Sequence, residues 1–145
     1  MKNILLTSCL FAITIIASCK KNDIDNPRNP ASPVGKWNND QLILWTSIPG
    51  TVTTKDTTVY TGTGSYEDLR TDENAYEKIY YFSSYSYSYD TSSYSVSGST
   101  FTAVKGVETT AWTIQKLTGN SLQLYRKTTS NSGATINELW LIFSR

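Results

Sequence analysis

The chain of 145 residues is long enough for one small domain. Its 13 Lys and Arg nearly balance its 12 Asp and Glu, so it lacks the basic footprint that nucleic-acid binding usually leaves. It has no histidine and only two cysteines, which excludes Ser–His–Asp and Cys–His catalysis and His-ligated zinc. Because no nucleotide-binding or nucleophile motif is present either, we expect a protein that is not an enzyme and that holds no cofactor or metal.

The first residues predict export followed by lipid attachment. Lys2 precedes an apolar stretch, Ile4 to Ile16, which is shorter than the about 20 apolar residues that a membrane-spanning helix needs. The stretch ends in Ile16-Ala17-Ser18-Cys19, which resembles the lipobox of bacterial lipoproteins. We therefore predict a lipoprotein signal peptide over residues 1–18 and attachment of acyl chains such as palmitate at Cys19. The expected location is the bacterial outer membrane, on its periplasmic face or at the cell surface.

The residues after Cys19 predict a flexible tether over 19–33. The run KKNDIDNPRNPASP is rich in proline and asparagine and poor in apolar residues. Cys9 leaves with the predicted signal peptide, so the domain over 34–145 contains no thiol and no disulfide. That domain must therefore be held together by the packing of its core.

Residues 34–145 predict an all-β domain. Short runs rich in Val, Ile, Thr, Tyr and Trp alternate with turn residues, and no stretch has the spacing of an amphipathic helix. Gly98 and Gly119-Asn120 each separate two such runs, which predicts two hairpins. The spacing favours an antiparallel meander closed into a barrel or a sandwich. The runs are Val34–Ser47, Thr51–Tyr60, Tyr76–Phe82, Tyr85–Tyr89, Tyr94–Ser97, Thr100–Val104, Glu108–Leu117, Ser121–Lys127 and Ile136–Ser144.

Alternation within the last three runs predicts which side chains face the core. In an extended strand, every second residue points to the same side. The apolar residues that share a side are Leu139, Leu141 and Phe143, then Trp112 with Ile114, and Leu122 with Leu124.

The segment Gly62–Ala75 lacks a clear period and is compatible with a loop or with one short helix. Five carboxylates are clustered in this segment and just after it: Glu67, Asp68, Asp72, Glu73 and Glu77. A solvated loop is the favoured interpretation, because Arg70 and Lys78 interrupt the negative charge. A calcium site and a catalytic carboxylate pair remain as alternatives, although the spacing differs from that of an EF-hand loop.

A run of alternating Tyr and Ser places Tyr85, Tyr87 and Tyr89 on one face of a predicted strand. Such a row can be an aromatic ladder that stabilises the sheet surface. It can also be a binding face that stacks on sugar rings or apolar ligands. Both interpretations stay open from the sequence.

Several motifs, taken in order along the chain, resemble those of a known family. Gly35-Lys36-Trp37 opens the first predicted strand and resembles the Gly-x-Trp of lipocalins and their calycin relatives. Together with the lipobox, the tether, the Gly98 hairpin and the terminal Phe143-Ser144-Arg145, the layout over residues 34–145 is similar to the lipocalin-like domains of Bacteroidota lipoproteins.

This resemblance implies an antiparallel up-and-down meander of about eight short strands closed into a barrel. Trp37 would cap one end of it and pack on a basic side chain from late in the chain, with Arg145 as the first candidate and Arg126 as the second. Gly35, Trp37 and Arg145 would then close the barrel. Because the strands must be short, a filled interior is as compatible with the sequence as a hollow one.

The expected function is that of a monomeric, lipid-anchored envelope protein without catalytic activity. It would bind a small apolar or amphipathic ligand, with Trp112 as a candidate contact, or a partner in the cell envelope. The alternative is a surface module that binds glycans or adheres through Tyr85, Tyr87 and Tyr89.

Overall fold

A computed structural model of the chain describes residues 31–51, 53–130 and 134–145. The predicted signal peptide, Cys19 and all but the last residues of the predicted tether lie outside this range. The described residues form nine β-strands and no helix, hence no helix long and apolar enough to cross a membrane. The strands are β1 (Gly35–Ser47), β2 (Thr54–Val59), β3 (Tyr66–Leu69), β4 (Asn74–Tyr81), β5 (Ser86–Ser97), β6 (Thr100–Lys105), β7 (Glu108–Leu117), β8 (Ser121–Thr129) and β9 (Ile136–Ser144).

Eight of these strands close into an antiparallel barrel. Neighbours in sequence pair from β3 through β9, and β1 completes the ring by pairing with both β3 and β9. Strand β2 lies outside the ring: β3 pairs with Gly35–Asn38 of β1, and β2 pairs with the later residues Gln41–Thr46. The predicted all-β meander is therefore confirmed, and the architecture is consistent with a lipocalin-like barrel.

Two details differ from the sequence-based expectation. The run Tyr85–Tyr89, apart from Tyr85 itself, and the run Tyr94–Ser97 belong to the single long strand β5. The segment Gly62–Ala75 is neither a simple loop nor a helix, because it contains β3. The sequence pattern did not predict this strand, because an alternating pattern requires an apolar residue at each inward position. Glu67, which faces inward with Leu69, is charged instead.

The apolar core fills one end of the barrel. Its members come from the beginning of β1, β4, β6 and β8 and from the end of β3, β5, β7 and β9, and these lie together in an antiparallel barrel. The predicted core positions Ile114, Leu122, Leu124 and Phe143 are buried, whereas Trp112 and Leu141 pack on the core and Leu139 is half-buried. The buried residues are Trp37, Leu69, Ala75, Tyr94, Phe101, Ile114, Leu117, Leu122, Leu124 and Phe143.

Trp37 is the centre of this filled end, which we call the floor. Its side chain is 0% exposed, and its indole Nε1 donates a hydrogen bond of 2.6 Å to the carbonyl of Pro33. The guanidinium carbon of Arg145 lies 3.6 Å from the centre of the Trp37 ring, and its Nη2 donates to the carbonyls of residues 32–34. Gly35 has φ of 129°, and a Cβ there would lie 3.2 Å from the Arg145 guanidinium carbon. The floor therefore needs a glycine at this position.

Replacement of Arg145 by methionine should loosen the floor. Arg145→Met keeps an aliphatic side chain but removes the charge over Trp37 and the donors to residues 32–34, so the free energy of unfolding should fall by about 1–2 kcal/mol. The matched control is Arg70→Met. Arg70 also lies over an aromatic ring, that of Tyr76 at 4.0 Å, but its side chain pairs with Asp68 two residues away and not with the segment that leads into β1. Its loss should cost no more than about 0.5 kcal/mol. Urea unfolding measures both, and equal losses would contradict the role given to Arg145.

Candidate functional site

The barrel end opposite the floor is hollow. A cavity of about 270 Å³ lies above the core. Strands β7, β8 and β9 give it an apolar wall with Trp112, Leu124 and Leu141. Strands β3, β4 and β5, across the ring, give it an acidic wall that consists of Glu67, Glu77 and Asp90. The interior therefore has one side suited to an apolar group and one side suited to a polar group.

A second cavity of about 210 Å³ adjoins the first on the side of β1. The two share the lining residues Glu67, Glu77, Leu141 and Phe143, so both carboxyl groups lie where the cavities meet. Asn39 lines the second cavity, and its side chain is only 7% exposed. Among the described residues, its Oδ1 has no hydrogen-bond partner. A buried acceptor without a donor is costly unless something else supplies the donor.

The acidic wall is a row of three register partners. Glu67 of β3 lies opposite Glu77 of β4, which lies opposite Asp90 of β5. The negative charge of Asp90 is balanced by Lys105 of β6, which donates a hydrogen bond to the carboxylate and forms an ion pair with it. This contact lowers the pKa of the Asp90 carboxyl. Within the described part of the chain, no side-chain hydrogen bond or ion pair engages the carboxyl group of Glu67 or Glu77.

Burial changes the proton affinity of these two carboxyl groups. Loss of water contact, followed by the neighbouring charges of Glu77, Asp90 and Asp68, raises the pKa of Glu67 to about 8. The pKa of Glu77 is also raised, first by burial and then by Asp90, and the charge of Lys105 opposes this only in part. Glu67 therefore carries a proton over much of the neutral range and can ionise when a cation approaches.

The apolar wall contains one cation. The guanidinium carbon of Arg126 lies 4.7 Å from the centre of the Trp112 ring, within the range of a cation–π contact. Arg126 thus contacts Trp112, whereas Arg145 is the residue over Trp37. The Nε of Arg126 is buried and has no acceptor among the described residues. Arg126 and Trp112 together form a partly charged surface against which a ligand can pack.

The tyrosine run lies on the outside of the barrel. Tyr85 precedes β5 in a turn with φ of 50° and is 83% exposed. The rings of Tyr87 and Tyr89 lie 6.5 Å apart and are tilted by 42°. Lys78 Nζ covers the Tyr87 ring at 3.9 Å, and the Tyr87 hydroxyl donates to the carbonyl of Thr63. The three side chains therefore do not form a flat row.

The acidic cluster is divided by the fold. Asp72 and Glu73 lie in the exposed turn between β3 and β4, as a solvated loop predicts. The same expectation is wrong for Glu67 and Glu77, which face the interior. Their positions two residues from Leu69 and from Ile79 were the available signal, because side chains two apart in a strand share a face. Among the described residues, no group of three or more His, Cys, Asp and Glu is arranged to hold a metal ion.

Comparisons with known proteins give this chain no relative. It matches no protein-family model, no curated protein and no solved structure. Its function must therefore be inferred from the fold and from the chemistry of the cavity.

Replacement of Glu67 by glutamine should remove a pH dependence of stability. The native Glu67 carboxyl binds its proton more tightly than the unfolded one, whose pKa is 4.5, so stability falls as the pH rises from there to about 8. Glu67→Gln cannot ionise. Since each unit of pKa difference corresponds to about 1.4 kcal/mol, we expect a gain of at least about 2 kcal/mol at about pH 9 and little change at about pH 4.

The control for this prediction is Asp56→Asn, which removes an exposed carboxylate on the outer strand β2. It should leave the difference between the two pH values unchanged. Urea unfolding at both pH values measures the effect. A Glu67→Gln protein that loses as much stability with rising pH as the wild type would contradict the burial of this carboxyl group.

Proposed function

We propose that this chain is a lipid-anchored protein of the cell envelope, similar to the lipocalin-like proteins of Bacteroidota, that binds a small amphipathic ligand inside its barrel and catalyses no reaction. The observation that carries the proposal is the interior cavity with an apolar wall on β7–β9 and an acidic wall on β3–β5. Such a cavity gives a place to both parts of an amphipathic molecule.

A purely apolar ligand fits this cavity less well. It would displace water from Glu67 and Glu77 without giving these carboxyl groups partners, and each lost partner costs free energy. The volume of about 270 Å³ favours a small ligand, since pockets for drug-sized molecules start at about 300 Å³. A molecule with one polar group and a compact apolar body is therefore the best match.

Lipid anchoring is supported by the lipobox Ile16-Ala17-Ser18-Cys19 and by the place where the tether joins the barrel. The last tether residues lie at the floor, where the carbonyl of Pro33 accepts a hydrogen bond from Trp37. An anchor that joins the closed end leaves the hollow end free to receive a ligand.

The tyrosine surface supports the alternative, a glycan-binding or adhesive module, less strongly. Tyr85 and Tyr89 are 83% and 69% exposed and so are accessible. However, the tilt between Tyr87 and Tyr89 and the lysine over Tyr87 leave no flat platform for a sugar ring. The interior cavity is therefore the better candidate site.

Filling the cavity should abolish ligand retention. Ala103 of β6 faces the cavity, and Ala103→Phe would place an aromatic ring in it. Native mass spectrometry of the protein purified from its own cells should show an additional mass on the wild type and none on this variant. The matched control is Ala111→Phe on the adjacent strand β7, where the alanine is exposed. It should retain the mass, and retention by Ala103→Phe would contradict an interior site.

Removal of the lipobox cysteine should release the protein from the membrane. Cys19→Ala leaves no thiol for acylation, so the protein should move from the membrane to the soluble fraction and should lack the acyl mass. Ser18→Ala, which keeps a small residue before the cysteine, serves as the control and should remain in the membrane. Unchanged fractionation of Cys19→Ala, with no acyl mass on the wild type, would contradict lipid anchoring.

A further inference from the structure

Three hydrogen-bond acceptors without protein partners face the interior on the same side of the barrel. They are the carboxyl groups of Glu67 and Glu77 and the amide oxygen of Asn39. The carboxyl groups are register partners on neighbouring strands and line both cavities. Asn39 is more than nine-tenths buried, so water at the surface does not satisfy its oxygen. These acceptors together call for a donor from outside the chain.

Building on the proposed function, we propose that the ligand is an organic amine whose ammonium group binds between Glu67, Glu77 and Asn39. An ammonium group has three donors and a positive charge, which suits three acceptors of which two can ionise. The rest of the molecule would then point across the cavity toward β7, β8 and β9.

The charges of the cavity favour a cation over an anion. Four carboxyl groups line the larger cavity, against only two cations, Lys105 and Arg126. Lys105 is paired with Asp90, and Arg126 lies against Trp112. Lys105 acts on Glu77 only through its charge, and within the described part of the chain neither cation forms an ion pair with Glu67 or Glu77. An anionic ligand would meet the repulsion of these carboxyl groups, whereas an ammonium group stabilises their ionised form.

The opposite wall favours a compact, preferably aromatic, body. Trp112, Leu124 and Leu141 present apolar surface to the cavity. The guanidinium of Arg126 over Trp112 adds a planar group that can stack on an aromatic ring. An amine with an aromatic body would thus use both walls at the same time.

Three indole compounds that differ only in their polar group test this inference. Isothermal titration of the wild-type protein at about pH 8.5, where an alkyl amine is still cationic, compares the amine tryptamine, the neutral tryptophol and the anionic indole-3-acetate. Tryptamine should bind at least about tenfold more tightly than tryptophol, and indole-3-acetate should bind most weakly. Equal binding of tryptamine and tryptophol, or tightest binding of indole-3-acetate, would contradict the proposal that the ligand is an amine. Either result would leave the proposal of an amphipathic ligand intact. No binding of any of the three would overturn both proposals.

A double variant tests whether the carboxyl groups of Glu67 and Glu77 cause the preference for tryptamine. Glu67→Gln with Glu77→Gln should remove most of the preference for tryptamine over tryptophol, and an unchanged far-UV circular dichroism spectrum checks that the barrel is folded. The control is Glu108→Gln, which removes an exposed carboxylate from the rim of the same cavity. It should keep the preference. If it reduces the preference as much as the double variant does, or if the double variant keeps it, the assignment to Glu67 and Glu77 is wrong.

Discussion

The contact between Trp37 and Arg145 organises the barrel, because it joins the beginning of the first strand to the end of the chain. Strand β1 is the one that closes the ring, since it pairs with β3 on one edge and with β9 on the other. The guanidinium of Arg145 covers the Trp37 ring at 3.6 Å and also binds the carbonyls that lead into β1. Trp37 therefore closes one end of the barrel from the inside and Arg145 covers it from the outside, and the apolar core packs on Trp37.

A sealed floor allows the other end to remain unfilled and polar. Most of the largest buried side chains lie near the floor, so stability does not require apolar residues throughout the barrel. The upper interior instead holds Glu67, Glu77 and Asn39 on one side and Arg126 with Trp112 on the other. Buried polar groups without partners reduce stability, and proteins retain them mainly where they serve binding or catalysis. The energetic weakness of the upper end and its suitability for a ligand thus have the same cause.

The alternation of apolar and polar residues along the strands made much of the fold predictable. The interior site was not predicted, because its residues depart from that alternation. Ile114, Leu122, Leu124 and Phe143 could be placed in the core because they recur with a period of two. Glu67 breaks this period in β3, so an inward-facing carboxyl made the strand look like a loop. The partner of Trp37 came only from the resemblance to a family, because no local pattern relates residues that are 108 positions apart. The tilt of Tyr87 against Tyr89 depends on contacts with Lys78 and Thr63, which their own spacing does not encode.

The interior carboxyl pair can be observed directly by carbon-13 NMR of the glutamate side chains. In the free protein, the carboxyl of Glu67 should titrate with a pKa of about 8, and addition of tryptamine should lower this pKa because the ammonium stabilises the ionised form. Tryptophol should lower it far less. A Glu67 carboxyl that titrates near 4.5 and does not respond to tryptamine would contradict a barrel whose hollow end recognises its ligand through carboxyl groups that face the cavity.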